Sequence, residues 1–353
     1  MRIPGATQYN SAMHTNEKVG VILINTGTTD APHPKETRTY LREFLSDPRV
    51  LDINPLKRWL ILNLFILPFR PKNSAEAYEK VWTDRGSPLL TITEDLQKGL
   101  EERMPGVEFA IGMRYGNPSI RKALNDLIKK DVDRIVVAPL FPQYASASNG
   151  SAIQCVFEIL AENWNVTPVS ILPEFYDDNG FMDAWVDVAK PHLDAFKPDH
   201  VLFSYHGLPE RHVTKSDATG KHCLAKPNCC DEIVSANKHC YRAQCMYTTR
   251  ELQKRLGLSD ENSSTSFQSR LGSDPWLTPA TDIVIPEIAK RGVKRMAVLC
   301  PAFTADCLET LEEIGMRAKE QFLEEGGTDL IQVPCLNSNP VWLDALTSLL
   351  NRL

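Results

Sequence analysis

One histidine and three acidic residues stand where the chain passes from an apolar segment into a turn or a helix. Residues 199–209 read as a short buried strand ending in a tight turn, which presents His206 at the strand's carboxyl end. Open α/β sheets bind their ligands at this end. Asp306, Glu309 and Glu313 are spaced to share one face of a predicted helix. A histidine with a line of carboxylates suits proton transfer or binding of a divalent cation.

Each of these side chains also has an ordinary structural explanation. A half-buried histidine at a strand end commonly bonds a loop carbonyl. Asp306 can cap the predicted helix, and the helix dipole favours acidic residues in a first turn. Glu313 lies two turns into that helix, so capping accounts for it less well. The residue types and spacings alone leave both explanations open.

Five of the nine cysteines fall within residues 221–245, with the spacing C-x5-CC-x9-C-x4-C. Such density favours bound metal over free thiols, or over disulfides in an exported protein. Four thiolates suit a 2Fe–2S cluster or structural zinc, and the neighbouring His222 and His239 leave a mixed zinc site open. The cysteines of this cysteine-rich segment are Cys223, Cys229, Cys230, Cys240 and Cys245.

The composition is typical of a globular protein with room for two domains. Of the 353 residues, 42% are hydrophobic and 24% are charged. The formal net charge of −6 argues against nucleic acid as a partner. Residues 1–18 read as a flexible tail without an apolar signal segment, and no apolar segment is long enough to span a bilayer. We therefore expect a cytoplasmic protein with reduced or metal-bound cysteines.

Strands and helices alternate along the chain, which predicts an α/β fold with mainly parallel sheets flanked by helices. Two pairs of segments resemble each other. VILINTG at 21–27 resembles VLFSYHG at 201–207, and RIVVAPLF from Arg134 resembles RMAVLCPAF from Arg295. The repetition predicts two similar halves with a binding cleft between them.

The predicted halves are residues 19–175 and 176–353. The repetition places Thr26 in the first half where His206 stands in the second. The cysteine-rich segment 221–245 is an insertion in the second half, and the last helix is expected to pack on the first half.

An apolar segment, WLILNLFILPF, occupies residues 59–69 and has cationic residues on both sides, within 57–72. Eleven mostly apolar residues are too few to span a membrane. One interpretation is a buried helix. The other is an apolar lip that holds a hydrophobic ligand or rests on a bilayer, where the flanking cations meet anionic groups.

Taken together, motifs distributed from about residue 19 to about residue 352 resemble the ferrochelatase family. The resemblance implies two Rossmann-like domains of the class II chelatase type around a cleft. It also implies a lyase that inserts Fe2+ into a porphyrin, the terminal metal step of haem synthesis. The motifs are SYHGLP around His206, CPAFTADCLETLEE at 300–313, PLFPQY ending at Tyr144, Trp82 with GSP at 86–88, Arg114-Tyr115, FQSR at 267–270 and PWL around Trp276.

The resemblance implies that His206 and Glu309 handle the iron and the two pyrrole protons, with Asp306 and Glu313 extending a carboxylate path from solvent. Bending the macrocycle exposes its nitrogen lone pairs, and remote binding can supply strain of about 1–5 kcal/mol. Relatives often carry Tyr or Met at the place of Thr26, which argues against this residue as a metal ligand. The residues expected to contact porphyrin are Arg114, Tyr115, Tyr144, Trp276 and Thr26.

The cysteine-rich segment resembles the internal insertion of iron–sulfur ferrochelatases. This implies a 2Fe–2S cluster, with zinc as the alternative. Because metal insertion needs no redox change, we expect a stabilising or sensing role. The implied ligands are Cys223, Cys230, Cys240 and Cys245, with Cys229 as the alternative to Cys230.

Protoporphyrin IX is the expected substrate, and coproporphyrin remains an alternative. Two other functions also stay open: a cobalt or nickel chelatase, and an iron–sulfur sensor on an inactive chelatase scaffold. We further expect peripheral membrane contact through residues 59–69 and a homodimer.

Overall fold

The computed structural model describes residues 17–272 and 274–353. It contains two four-stranded parallel sheets, with strand orders β2-β1-β3-β4 and β6-β5-β7-β8. The predicted α/β fold with parallel sheets is confirmed. The strands are β1 (Val19–Thr28), β2 (Glu108–Gly116), β3 (Arg134–Pro139), β4 (Val169–Ile171), β5 (His200–His206), β6 (Ser263–Gln268), β7 (Arg295–Leu299) and β8 (Asp329–Gln332).

Helices flank both sheets. Seven belong to the first sheet and the connection that follows it: α1 (Pro34–Ser46), α2 (Pro55–Leu60), α3 (Leu67–Val81), α4 (Pro88–Arg103), α5 (Ile120–Lys129), α6 (Ser151–Leu160) and α7 (Asn179–Phe196). The later ones are α8 (Glu210–Ser216), α9 (Tyr241–Leu256), α10 (Thr281–Lys290), α11 (Lys319–Glu324) and α12 (Pro340–Leu350). Three segments are π-helical: Ile61–Ile66, Ser146–Gly150 and Glu309–Ala318.

Each sheet is built around one apolar central strand, β1 in the first half and β5 in the second. The side chains of Val21 to Ile24 are at most 1% exposed, and those of Val201 to Phe203 are equally buried. A strand of a parallel sheet is covered by helices on both faces, which explains a continuous apolar sequence.

The two central strands pair with their neighbours in the same register. Val21 pairs with Val136, two residues after Arg134, and Val201 pairs with Ala297, two residues after Arg295. The repeated segments of the sequence therefore occupy equivalent strands. Thr26 of the first half and His206 of the second stand at equivalent places near the carboxyl ends of β1 and β5.

A glycine follows each of these two residues, and each permits close approach of the next strand. Gly27 has φ +111°, and a Cβ atom there would lie 1.8 Å from the carbonyl oxygen of Tyr115. A Cβ atom on Gly207 would lie 2.7 Å from the carbonyl oxygen of Gln268. The carboxyl ends of neighbouring strands can converge because both positions lack a side chain.

The last helix packs on the first half of the molecule. Asp344 of α12 forms an ion pair with Arg103 of α4, with 2.6 Å between Oδ1 and Nε. Leu343 lies over Gly99, where an added Cβ would come within 2.5 Å of its side chain. The two sheets also share one continuous apolar core.

At the amino-terminal end of the described residues, Glu17 forms an ion pair with Arg134 and the backbone N–H of Lys18 donates to Asp133. The rest of the expected tail, residues 1–16, lies outside the described residues.

The apolar segment 59–69 lies in a continuous helical stretch at the surface, and we call it the lip. Its large side chains face solvent: Trp59 is 57% exposed, Phe65 67% and Phe69 72%. Leu62 and Leu67 instead turn inward and pack with Tyr40. The interpretation as a buried helix is therefore wrong for most of the segment. No helix within residues 17–272 and 274–353 has the length and apolarity required to cross a membrane.

Candidate active site

His206 lies at the end of β5, and within residues 17–272 and 274–353 only one of its two ring nitrogens makes a hydrogen bond. Its Nδ1 lies 2.7 Å from the carbonyl oxygen of Gly207. Because a carbonyl only accepts, Nδ1 must carry the proton, and in the neutral ring Nε2 then carries a lone pair. The ring centroid lies 6.4 Å from that of Phe303. Nε2 of His206 can therefore accept a proton or bind a metal ion.

The carboxylates of Glu309 and Glu313 come from the π-helical segment that follows β7. The two residues are four apart in this widened helix, close to one turn, and therefore lie on one side of it. Short π-helical segments occur frequently at functional sites. The structure brings these two acids together as a pair.

The surroundings of Glu313 change the pKa of its carboxyl group. Its carboxylate accepts hydrogen bonds from the backbone N–H and the hydroxyl of Ser269. Burial raises the pKa of Glu313, the charge of Glu309 adds to that effect, and Ser269 and His206 oppose it. Glu313 thus interacts electrostatically with both expected catalytic residues, so the three form one acid–base group.

Gln268 attaches this helix to the strand that carries His206. Its Nε2 donates to the carbonyl oxygen of Glu309 at 2.8 Å. Its Oε1 accepts from the hydroxyl of Ser204 on β5 at 2.7 Å. Gln268 also pairs with His206 in the sheet. One buried amide therefore fixes Glu309 relative to His206.

Glu309 also faces two tyrosines of the first half that the sequence analysis missed. Burial raises the pKa of Tyr40 and of Tyr78, and the nearby charge of Glu309 contributes to both increases. The two rings meet edge to face, with centroids 6.3 Å apart. Both tyrosines lie on helices where an aromatic side chain is an ordinary core residue, so the sequence carries no signal for them.

Arg70 follows the lip directly and was expected only as a flanking cation that meets anionic groups. Its side chain is solvent-exposed, although nearby protein atoms partly desolvate the guanidinium. This partial desolvation lowers the pKa of its guanidinium, as does the charge of Arg317, and the charges of Glu309 and Glu313 oppose the effect. A cation directly after an apolar segment was the available sequence signal.

The structure separates Asp306 from the other two acids, which corrects the predicted line of three carboxylates. The helix begins after Asp306, so this residue does not share the face of Glu309 and Glu313. Its buried carboxylate accepts hydrogen bonds from Thr310 at 2.9 Å, Gln332 at 3.0 Å and Asn337 at 2.8 Å. Asp306 therefore ties the start of the helix to the segment that follows β8.

Arg114 and Tyr115 converge on Asp47, another residue that the sequence analysis missed. The Asp47 carboxylate lies 2.7 Å from the Arg114 guanidinium and accepts from the Tyr115 hydroxyl at 2.9 Å. Burial acts to raise the pKa of Asp47, but hydrogen bonds, led by that from Ser151, and the charge of Arg114 hold it below its ordinary value. Tyr115 is 2% exposed. Tyr115 is therefore too buried to contact porphyrin as expected, and it supports Arg114 instead.

The three remaining porphyrin candidates occupy different places. Trp276 packs beside Gly207, so it adjoins His206, and its indole N–H donates to a loop carbonyl at 2.8 Å. Thr26 is half-buried near the end of β1. Tyr144 is also half-buried, and its ring centroid lies 5.8 Å from that of His239 in the cysteine-rich segment.

The five cysteines of the cysteine-rich segment are all buried. The Sγ atoms of Cys229 and Cys230 are 3.7 Å apart, and the Arg242 guanidinium donates to Cys230 at 3.1 Å. Cys240 lies near enough to influence the pKa of both Cys223 and Cys230. Clustered thiols beside a cation have the chemistry that a thiolate-bound metal requires.

This thiol cluster is not arranged as a closed coordination site. Among residues 17–272 and 274–353, no three His, Cys, Asp or Glu side chains converge with metal-binding geometry. The donor types fit a metal, although the described side chains are not arranged around one.

Comparison with solved structures identifies the class of fold. SirB from Bacillus subtilis with Fe3+ matches with a TM-score of 0.54 and 10% identity, covering 95% of each chain. The sirohydrochlorin chelatase SirB from Bacillus subtilis subspecies spizizenii with cobalt matches with a TM-score of 0.51 and 10% identity, covering 95% of this chain and 93% of that one. At this identity the likeness establishes the fold alone, which is that of the chelatases.

Sequence comparison then identifies the family. The ferrochelatase family model matches residues 18–353. A ferrochelatase of Coxiella burnetii (strain Dugway 5J108-111) is 45% identical, over 96% of this chain and 94% of its own length. One from Legionella pneumophila (strain Lens) is 44% identical, over 94% of this chain and 98% of its own length. The chain belongs to the ferrochelatase family, and the resemblance in the sequence is confirmed.

Proposed function

We propose that this protein inserts Fe2+ into protoporphyrin IX and releases two protons, forming protohaem. The observation that carries the proposal is a histidine whose Nε2 makes no hydrogen bond within the described residues, together with two carboxylates on one side of a π-helix. A free porphyrin holds two pyrrole N–H groups that must lose their protons as the metal enters. The site has to supply a base for the protons and oxygen ligands for the metal.

His206 is the base in this proposal. The hydrogen bond from Nδ1 to the carbonyl of Gly207 leaves Nε2 as the acceptor of a pyrrole proton. A positioned general base of this kind contributes about 10²–10⁴-fold to a rate. Glu313, whose pKa is raised by burial, is suited to take the proton from the imidazolium and pass it towards solvent.

Glu309 delivers the metal in this proposal. Carboxylate oxygens suit hard divalent cations that keep part of their hydration shell, and Glu313 on the same side of the helix adds a second carboxylate. The amide of Gln268, bonded to the backbone of Glu309, keeps this carboxylate fixed relative to His206. Iron and base therefore approach the ring at one place.

The cleft holds the porphyrin between its polar and apolar walls. Arg70 and Arg114 are the cations suited to the propionates. Trp276, next to His206, and Tyr144 offer aromatic surface to the ring. The exposed lip suits a hydrophobic substrate and product that pass between a cytoplasmic enzyme and a membrane surface.

The cysteine-rich segment is proposed to hold a 2Fe–2S cluster through Cys223, Cys230, Cys240 and Cys245. Cys230 is preferred over Cys229 because the nearby Cys240 is the largest cause of its raised pKa, whereas burial is the largest cause for Cys229. A bound cluster, or a zinc ion in its place, would cross-link the segment and stabilise it.

The test is haem formation from Fe2+ and protoporphyrin IX under anaerobic conditions, followed by absorbance. We expect turnover by the wild-type protein and its loss in His206→Ala. His200→Ala is the matched control, because His200 begins the same strand and bonds only Ser264 within the described residues. Faster turnover of coproporphyrin would change the substrate. A coloured protein without turnover on any porphyrin would instead indicate an iron–sulfur sensor.

A further inference from the structure

We infer that Gln244 is a positioning residue for porphyrin binding, and that through it the cysteine-rich segment controls the affinity of the cleft for porphyrin. This inference rests on the proposed function and identifies a regulation of the same site. The connection runs from the thiol cluster of the second half to the loop of the first half that carries Tyr144.

Gln244 joins the two regions directly. It lies in α9, fully buried, one residue before Cys245 and four after Cys240. Its Oε1 accepts a hydrogen bond from the backbone N–H of Tyr144 at 2.6 Å. Its Nε2 donates to the carbonyl oxygen of Lys238 at 2.7 Å. One amide therefore bonds both the turn that precedes Cys240 and the loop that follows β3.

Two further contacts hold the same loop. The ring of His239, adjacent to Cys240, lies beside that of Tyr144, and its Nδ1 is 3.2 Å from the carboxylate of Glu174. The buried amide of Gln143 donates to Thr248 of α9 at 3.2 Å. The loop is thus attached to the cysteine-rich segment and its following helix at successive residues.

The other side of this loop reaches the active site. Leu140 donates its backbone N–H to Ile24 of β1 at 2.9 Å, and its carbonyl accepts from the Thr304 hydroxyl at 3.2 Å. Thr304 precedes the segment that carries Glu309. A displacement of the loop would therefore change the wall of the cleft next to Thr26.

Metal at the cysteines would act on this connection through the start of α9. Cys240 is the residue that caps α9 at its amino-terminal end, and Cys245 lies in the second turn. Two ligands so placed would fix the turn that carries Gln244. Without metal, hydrogen bonds and packing alone would hold that turn, so the Tyr144 loop would sample more positions and bind porphyrin less tightly.

The first experiment measures porphyrin binding by fluorescence titration, together with steady-state kinetics. Gln244→Met keeps the buried volume and removes the acceptor for the Tyr144 N–H. We expect the Kd and the KM for porphyrin to rise about five- to tenfold, the size of one lost hydrogen bond, with kcat and the KM for Fe2+ unchanged. His239→Ala changes an exposed side chain, and we expect about a two- to threefold rise in the same direction.

Gln253→Met is the matched control. Gln253 lies on the same helix and bonds Asp260 and Ser263 of its own half. We expect no change in porphyrin affinity for this variant. A rise equal to that of Gln244→Met would overturn the inference, because it would mean that any weakening of α9 has the same effect.

The second experiment compares protein as purified anaerobically with protein whose cysteine-bound metal has been removed by a chelator. We expect removal to raise the porphyrin Kd of the wild-type protein to that of Gln244→Met, and to leave Gln244→Met unchanged. The inference would be overturned if metal removal and Gln244→Met raised the porphyrin Kd additively. Purification of the protein without metal would also overturn it. Absence of porphyrin binding by the wild-type protein would overturn the proposed function, whereas equal tight binding by all variants would overturn this inference alone.

Discussion

The carboxylate of Asp47 lies 2.7 Å from the guanidinium of Arg114 and fixes that cation in the wall of the first half. The pair joins residues that are 67 positions apart. The Asp47 carboxylate also accepts hydrogen bonds from the hydroxyls of Tyr115 and Ser151. The pair is largely buried, so removal of one partner leaves the other charge without compensation.

Asp47→Asn should therefore destabilise the protein by about 3 kcal/mol at neutral pH, as judged by urea unfolding. The pKa of Asp47 is below its ordinary value of 3.8, so its stabilisation is present above that pH and is lost as the pH falls further. The wild-type protein should lose the stability contributed by ionised Asp47 on acidification, and Asp47→Asn should not. Asp126→Asn, which breaks an exposed pair with Lys122, should stay within about 0.5 kcal/mol.

The contribution of Glu313 to stability depends on pH in the opposite direction to that of Asp47, because burial raises the pKa of Glu313 above the ordinary value of 4.5. The folded protein binds this proton more tightly than the unfolded chain does, so the associated stability is present below that value. It is lost as the pH rises through the raised pKa. Glu313→Gln removes the effect. The melting temperature of the variant relative to wild type should therefore rise as the pH increases above about 4.5. A pH-independent difference would contradict the assignment.

Asp306→Asn and Glu309→Gln should separate a structural acid from one that contacts the substrates. Asp306 accepts three side-chain hydrogen bonds, and an amide at this place would turn a donor towards donors. We expect a loss of about 2–3 kcal/mol in stability with most of kcat retained. Glu309→Gln should keep its melting temperature and lose turnover by about 100-fold or more. Normal stability with lost turnover in Asp306→Asn would assign Asp306 to the chemistry.

The contrast between His206 and Asp306 shows which parts of the site the sequence could predict. The position of His206 at the end of β5 was predictable because an apolar strand and a Gly-Leu-Pro turn are local features, and because VILINTG repeats its pattern 180 residues earlier. The same repetition placed Thr26 correctly at the equivalent end of β1. Asp306 was misplaced because the start of its helix is set by Asn337 and Gln332, which lie 31 and 26 residues away along the chain.

The missed residues share this dependence on distant partners. Asp47 acquires its role from Arg114, and Gln244 from Tyr144, 100 residues earlier. Tyr78 becomes part of the site only because α3 packs against the helix of Glu309. Short-range patterns predicted the strands and the position of His206 at the end of one of them. The contacts between the two halves arise from their packing, which local spacing does not encode.

The lip should mediate membrane binding without contributing to stability. Phe65 and Phe69 are 67% and 72% exposed, so the double change Phe65→Ser and Phe69→Ser should leave the melting temperature within about 2 °C of wild type. Burying two such side chains in a bilayer interface is worth several kcal/mol at most, so we expect at least a tenfold loss of sedimentation with anionic phospholipid vesicles.

Phe157→Ser is the matched control for the lip, because Phe157 is 50% exposed on α6, outside the lip. It should not change vesicle binding. The cations Lys57 and Arg58 beside the lip predict that added salt weakens binding to anionic vesicles and leaves any binding to neutral ones unaffected. Equal sedimentation of wild type and the double variant would show that the lip serves the porphyrin alone. In that event the double variant should instead show a raised KM for porphyrin in detergent solution, where no vesicle competes for the apolar surface.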